Sequence, residues 1–212
     1  MSPVSRRPFP ALIAPSRPDR DTTRAAIVAA ARELTVTRGW AEVRMAGVAE
    51  RAGVSRQTVY NEFGGRAGLA DAMAAAEIEL FTAGVRAALF AHGSQVRAAV
   101  AAAARFALDE AAANPLIRVI LTSSRGGADP LLPYLTTRSD VVMAAAAVPL
   151  LEWAGAFLPA VEPDELAFAA DTVIRLVVSH IVLPLRPVGH TAEALAGLVV
   201  LLLDASRRHA PR

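Results

Sequence analysis

An all-helical (all-α) protein in two parts is predicted by three features of this sequence. Long stretches are filled by alanine, leucine and valine, and no run alternates β-branched with polar residues, so the material is helix-forming. Glycines and prolines fall between those stretches at helix-length intervals, which sets an expectation of about nine helices. Charge is also divided: residues 1–66 hold 11 arginines against 6 acids, and residues 67–212 hold 11 arginines against 14 acids. A basic first third on a mildly acidic remainder suggests that only the first third meets a polyanion, although charge also segregates without function. The expected division is a basic, proline-rich arm over 1–21, a small three-helix unit over 22–66 and a larger helical bundle over 67–212.

Composition narrows the class further. With 212 residues, 54% hydrophobic and 20% charged, the chain is globular and long enough to bury a core. It has no cysteine, which excludes disulfides, thiolate metal sites and cysteine nucleophiles. All 22 basic residues are arginines, a bias that fits GC-rich coding better than a demand for bidentate phosphate contacts. Ser5-Arg6-Arg7-Pro8-Phe9 looks like the opening of a twin-arginine signal, but Pro15, Arg17 and Pro18 interrupt the apolar stretch such a signal needs. The longest uncharged apolar runs, 141–151 and 194–203, are core-helix lengths. The expectation is a soluble, cytoplasmic protein with no membrane partner.

The elements follow in order. Five prolines in residues 1–21 mark an irregular arm, which either follows phosphates or a minor groove or is a tail without a role. Ile27, Ala30, Ala31 and Leu34 share one face of a helix over 22–38, stopped by Gly39. Two short helices are expected over 45–52 and 56–63, and a long one over 66–91. Ser94 is placed to cap a helix ending at Asn114, and Pro115 opens another that ends near Arg125-Gly126-Gly127. Residues 130–157 read as helical but contain Pro133 and Pro149, which should break or kink the segment. Pro163 opens a helix to about Leu185, and Thr191 is expected to cap the last one, to about Arg208.

The informative stretch is VAERAGVSRQTVYNEF, residues 48–63. Gly53 stands between two short helices, where a tight turn needs a residue that tolerates positive φ. Val54 fills the angle, and the Ser55 hydroxyl is placed to accept from the amide of Gln57 or Thr58. Val48, Ala49, Ala52, Val59 and Phe63 face inward, leaving Arg56, Gln57, Thr58, Tyr60 and Asn61 outside. Those are side chains of the kind that reach base edges and phosphates. A structural hairpin would carry Glu/Lys ion pairs there instead. Glu62 would repel phosphates, so it faces away or pairs with an arginine.

Residues 22–73 resemble the DNA-binding domain of the TetR/AcrR family. AERAGVSRQTVYNEF followed by Gly-Gly-Arg-Ala-Gly-Leu is similar to that family's second and third helices and the opening of its fourth. The resemblance implies an N-terminal helix-turn-helix on a helical ligand-binding and dimerisation domain. It also implies that Tyr60 touches phosphate while Arg56, Gln57, Thr58 and Asn61 lie in the major groove of an operator. Arg66 stands where the family usually has a phosphate-binding lysine. Arg44 replaces a usual capping threonine that touches phosphate, and Gly47 replaces a common polar residue. Arg44 can reach phosphate but caps poorly.

In the remainder no catalytic constellation is seen. His92, His180, His190 and His209 are scattered without a carboxylate at metal-ligand spacing, so no metal, cofactor or enzymatic activity is expected. The last two long helices are apolar around most of their circumference, through Leu166, Val173, Leu176, Val177 and Ile181 and through Leu195, Leu198, Val199, Leu202 and Leu203. Such helices need cover on more than one face, and the same pair from a second subunit would supply it. The resemblance implies the same homodimer and adds a small-molecule pocket in the body. Candidate lining groups are Phe81, Phe106, Trp153, Phe157 and His180, each of which reads equally as ordinary core. Arg118 and Arg175 either meet an anionic head group or snorkel to the surface. The expected function is a repressor released from a palindromic operator by a small apolar or amphipathic effector. The alternatives are a regulator without a small-molecule effector, or an activator.

Overall fold

Asp19 starts the first helix of the protein by accepting from the Arg20 amide at 2.7 Å, and its carbonyl takes the Thr23 amide at 2.9 Å. The computed structural model describes residues 19–117 and 139–209. Among them there is no strand, but a helical turn at 115–117 and eight longer α-helices: α1 (Arg20–Arg38), α2 (Met45–Ala52), α3 (Arg56–Phe63), α4 (Arg66–Phe90), α5 (Val96–Ala113), α6 (Ser139–Phe157), α7 (Pro163–Val182) and α8 (Val188–His209). A 3₁₀ turn, Trp40–Glu42, joins α1 to α2.

Helix α1 begins two residues before the expected start, because Asp19 rather than a later residue caps it. Its buried face is Ile27, Ala30, Ala31 and Thr35, and the Thr35 hydroxyl satisfies itself on the Ala31 carbonyl at 2.7 Å. This helix packs on α2 and α4, and α3 packs on α2 and α4 in turn. The resulting first core joins Ile27, Trp40, Val43, Met45, Val48, Val59 and Phe63 to Leu69 and Met73 of α4. Gly68 lets α3 and α4 meet: a Cβ there would lie 2.2 Å from the Phe63 carbonyl oxygen.

A second core is built on α5, which runs against α4, α7 and most extensively α8. Its members include Leu89, Ala99, Val100, Ala103, Ala104, Trp153, Ile174, Leu195 and Val199. Helix α4 is shared, with Leu69, Ala70, Met73 and Ala74 in the first core and Val85 and Leu89 in the second. The expected division after residue 66 thus falls at the start of a helix whose first turns still belong to the first core.

Several boundaries differ from expectation. Ser94 does not cap α5; Gln95 is the N-cap, without a side-chain bond, and Ser94 contributes its backbone carbonyl to Val96. Thr191 lies inside α8, buried, with its amide on the Pro187 carbonyl at 3.2 Å, because the helix already begins at Val188. Helix α7 ends at Val182, three residues early. Helix α6 continues through Pro149, whose ring is buried. A proline inside a helix costs about 3 kcal/mol, and here packing of α6 on both α4 and α7 offsets it. Residues 115–117 are helical, whereas the rest of that helix, Pro133 and residues 1–18 of the arm lie outside the described residues.

By length and composition the stretch Val188–Ala205 of α8 is apolar enough to cross a bilayer, although no uncharged run in the sequence is that long. It carries Glu193 and Asp204, and a third of it is buried in the fold. Ala192, Leu195, Ala196, Val199 and Leu203 belong to the second core, which makes α8 a core helix of the bundle.

Candidate nucleic-acid interface and internal cavity

The α2–turn–α3 unit is held by short-range chemistry. Gly53 adopts φ 68°, ψ 29°, the left-handed conformation the turn requires, and the Val54 amide closes it on the Ala49 carbonyl at 3.0 Å. Ser55 then caps α3, its hydroxyl accepting from the Thr58 amide at 3.0 Å. Val59 and Phe63 point into the first core, so the opposite face is presented outward.

On that face Arg56, Gln57, Tyr60 and Asn61 are exposed, and Thr58 is half-buried with its hydroxyl 2.8 Å from that of Ser55. The Arg56 guanidinium lies over the Tyr60 ring, 5.5 Å from its centroid. Gln57 donates to the Asn61 carbonyl oxygen at 2.7 Å, so the two amides keep one another in register along the helix. Glu62 is drawn away from this row: Arg20 donates to its carboxylate at 3.0 Å, and Arg24 donates to its backbone carbonyl at 3.3 Å. Its negative charge is therefore balanced before any polyanion approaches.

Two more arginines lean on the 3₁₀ turn. Arg44 is the N-cap residue of α2 but makes no side-chain cap, as a guanidinium has no acceptor; it donates to the Ala41 carbonyl at 2.7 Å. Arg66 stacks over the Trp40 ring, 5.1 Å from its centroid, and donates to the Trp40 carbonyl at 2.5 Å. Each guanidinium has five N–H donors, so one such bond orients the group without exhausting it. Trp40 as the platform for Arg66, and Arg20 and Arg24 as the partners of Glu62, were not legible in the sequence. Each contact spans between 26 and 42 residues.

The body holds an apolar cavity of about 210 Å³ between α4, α5, α6 and α7. Ile78, Phe81 and Val85 line one side, Val100 and Ala104 another, and Leu150, Val173 and Val177 close it. Such a volume exceeds the roughly 150 Å³ apolar cavities that admit benzene and lies below the roughly 300 Å³ of ordinary ligand pockets. It suits a slender molecule. Three polar residues reach its wall: Thr82, whose hydroxyl is satisfied on the Ile78 carbonyl at 2.8 Å, and Glu77 and Asn114 at one end.

Of the groups expected to line a pocket, Phe81 is on this wall. Phe106 stands behind it, ring centroids 6.1 Å apart, and approaches so closely that a Cβ on Gly84 would meet its ring at 2.0 Å. Trp153 and Phe157 lie elsewhere, in an aromatic cluster with Phe90, and the Trp153 indole donates to the Gly93 carbonyl at 2.9 Å. Arg175 points outward to Asp171 at 2.8 Å, and the hydrogen bond it donates holds that carboxyl below its ordinary range. His180 borders a separate, smaller cavity of about 190 Å³ with Pro184 and Thr191. Arg118 lies outside the described residues. Apart from Phe81, the cavity is thus walled by aliphatic faces rather than by the aromatic residues that stand out in the sequence.

Known proteins agree with this architecture. Residues 27–73 match the family model of bacterial regulatory proteins of the tetR family, and residues 95–200 match that of the bacterial tetracyclin repressor C-terminal domain. Over 200 residues the chain is 31% identical to the HTH-type transcriptional regulator AlkX of Mycobacterium tuberculosis, covering 94% of this chain and 90% of that protein. The crystal structure of a TetR family repressor AlkX from a Dietzia species, implicated in biodegradation of n-alkanes, matches with a TM-score of 0.69 at 28% identity, covering 86% of this chain and 96% of that one. A TetR-family transcriptional regulator from Streptomyces coelicolor shares the fold, with a TM-score of 0.60 at 20% identity over 89% of this chain and 83% of that one. A helix-turn-helix with an outward row of donors, on a helical body and with both family models matched, leads to one conclusion: the chain belongs to the TetR family of DNA-binding transcriptional regulators, and not to a family of enzymes.

Proposed function

We propose that the protein is a ligand-responsive repressor that binds a palindromic operator as a homodimer in the cytoplasm and leaves it when a small apolar or amphipathic effector enters the body. The observation that carries this reading is the apolar cavity, walled on one side by α4, whose first turns also belong to the first core. A molecule filling it presses on the element that sets the position of the reading helix. Release requires only that the effector bind the two arrangements with different affinity, and a difference of about 1–3 kcal/mol changes operator affinity 5- to 150-fold. The similarity to a repressor implicated in n-alkane biodegradation supports an effector of hydrocarbon character.

In this reading α3 lies in the major groove. Arg56, Gln57, Thr58 and Asn61 face base edges, Ser55 presents the helix N-terminus to the backbone, and Tyr60, Arg44 and Arg66 meet phosphates. The homodimer forms through α7 and α8, which with the connection between them leave large apolar groups in solvent on a single chain: Phe168, Val182 and Leu201 on the helices and Leu183 and Leu185 between them are each more than half exposed. A two-fold pairing covers these faces and spaces two reading helices for two half-sites.

The test is operator binding measured by fluorescence anisotropy on the protein's own upstream region, across a salt series. Tyr60→Ala and Arg66→Ala are expected to weaken binding about tenfold or more each, with helicity and dimer mass unchanged; normal binding by both would remove them from the interface. An apolar compound library that neither shifts the melting temperature nor releases DNA would favour a regulator without an effector.

A further inference from the structure

Where the cavity reaches the first core, three side chains from three elements form one polar cluster. Arg32 of α1 donates through Nε to the Glu77 carboxylate of α4 and reaches the Asn114 carbonyl oxygen at 3.4 Å. Asn114, at the end of α5, donates its amide to the other Glu77 oxygen at 2.8 Å and accepts from the Leu116 amide at 3.0 Å. Asn114 is buried, and the Glu77 side chain is only 16% exposed. Both line the cavity, whereas Arg32 does not. Leu116 has a double role: it lines the cavity and is a buried member of the first core.

We infer that this Arg32–Glu77–Asn114 cluster is the sensing end of the cavity. It recognises an effector with an uncharged hydrogen-bonding head group on a slender apolar body, and it passes occupancy to the DNA-binding unit through Arg32 and Leu116. The inference rests on the cavity being the effector site.

The choice of head group follows from charge. The cluster is already a neutral pair, one guanidinium against one carboxylate, and the described cavity wall beyond it is aliphatic apart from Phe81 and Thr82. An ionised carboxylate entering there would face Glu77 with no unshared cation among the described residues, and burying such a charge is costly. An alcohol instead donates to a Glu77 oxygen and accepts from Asn114, whose amide has two N–H donors and uses one on Glu77 among the described residues. A plain alkane fills the cavity but leaves the cluster as it is. An alcohol that donates to Glu77 competes with Arg32 for that carboxylate, and so weakens the ion pair that ties α1 to the body. Asn114 holds the Leu116 amide through its side-chain oxygen, so an Asn114 side chain drawn toward the hydroxyl carries the corner of the first core with it.

The experiment uses the full-length dimer on its operator, with hexanol, octanol and decanol, the matching alkanes and the matching carboxylates. Each compound is scored for melting-temperature shift and for operator release by anisotropy. In the wild type the best alcohol is expected to release operator at about one-tenth the concentration its alkane or carboxylate needs, the scale of one or two hydrogen bonds. Asn114→Ala should erase the advantage of alcohol over alkane. Glu77→Gln, which keeps size and hydrogen bonding, should admit the carboxylates. Arg32→Lys should still show the alcohol's melting shift but need about tenfold more alcohol for release. Should Asn114→Ala not fold, Glu77→Gln and Arg32→Lys carry the test. Equal potency of alcohol and alkane in the wild type, or an unchanged ranking in the folded variants, overturns the inference while leaving the effector cavity standing. If no compound of any class shifts the melting temperature, the cavity reading itself fails and takes the inference with it.

Discussion

The first core is filled by large side chains of different shapes, Ile27, Trp40, Met45, Phe63, Leu69 and Met73, whereas α5 brings a row of alanines to the second: Ala99, Ala101, Ala103, Ala104 and Ala107. Bulky groups interlock and leave one arrangement at full packing density. Alanines bring helices close without filling the volume between them, and the space left over is the cavity flanked by Ala103, Ala104 and Ala107. Surfaces differ in the same sense. The first unit presents arginines and amides, and the body exposes Phe168, Leu185 and Leu201. One region is packed to hold a fixed shape, and the other leaves internal space and exposed apolar groups, which fits the proposed guest and second copy.

That contrast is open to direct attack. The largest expected effect is Phe63→Ala, which removes a buried ring that anchors α3 to the first core; it should cost about 3–5 kcal/mol, read from the midpoint of a urea titration. A cost under 1 kcal/mol would mean that the first core is loosely packed. Next comes a paired substitution of the same chemistry in both regions. Ala31→Leu, at a fully buried position of α1, should overpack and cost about 1–3 kcal/mol. Ala104→Leu projects into the cavity and should change stability by less than about 1 kcal/mol, while abolishing the melting shift given by any effector. Equal penalties at both sites would erase the distinction between a filled and an unfilled core. The smallest effect is a gain. Gly47 lies inside α2 with nothing within 4 Å of an added Cβ, so Gly47→Ala should raise stability by about 0.5–1 kcal/mol and leave operator binding unchanged.

How much could be read beforehand depended on the range of the interaction. Helices α2 and α3 begin and end at the residues the sequence indicates, because Gly53 and Ser55 act within four residues of themselves. Ser94 and Thr191 carried the same local signal and misled. Neighbouring residues start those helices, and Thr191 is instead buried within the bundle. Pro149 signals a break or a kink, and the helix does not break there, because packing on two neighbouring helices outweighs one missing hydrogen bond. For the cavity the signal was weaker still. Aromatic side chains drew attention to Trp153 and Phe157, which pack on Phe90, while the polar end is made by Glu77 and Asn114, separated by 37 residues.

Periodicity, caps and the turn at Gly53 were enough to define an all-helical chain, a reading helix with Val59 and Phe63 inward, and a row of donors outward. These depend on backbone geometry and on near neighbours, which a linear sequence displays directly. The pairing of Glu62 with Arg20, the seat of Arg66 on Trp40, the emptiness between α4, α5, α6 and α7 and the meeting of Arg32, Glu77 and Asn114 were settled only by how helices cross. Crossing is set by the sum of many weak contacts between distant segments, and no single residue carries that sum.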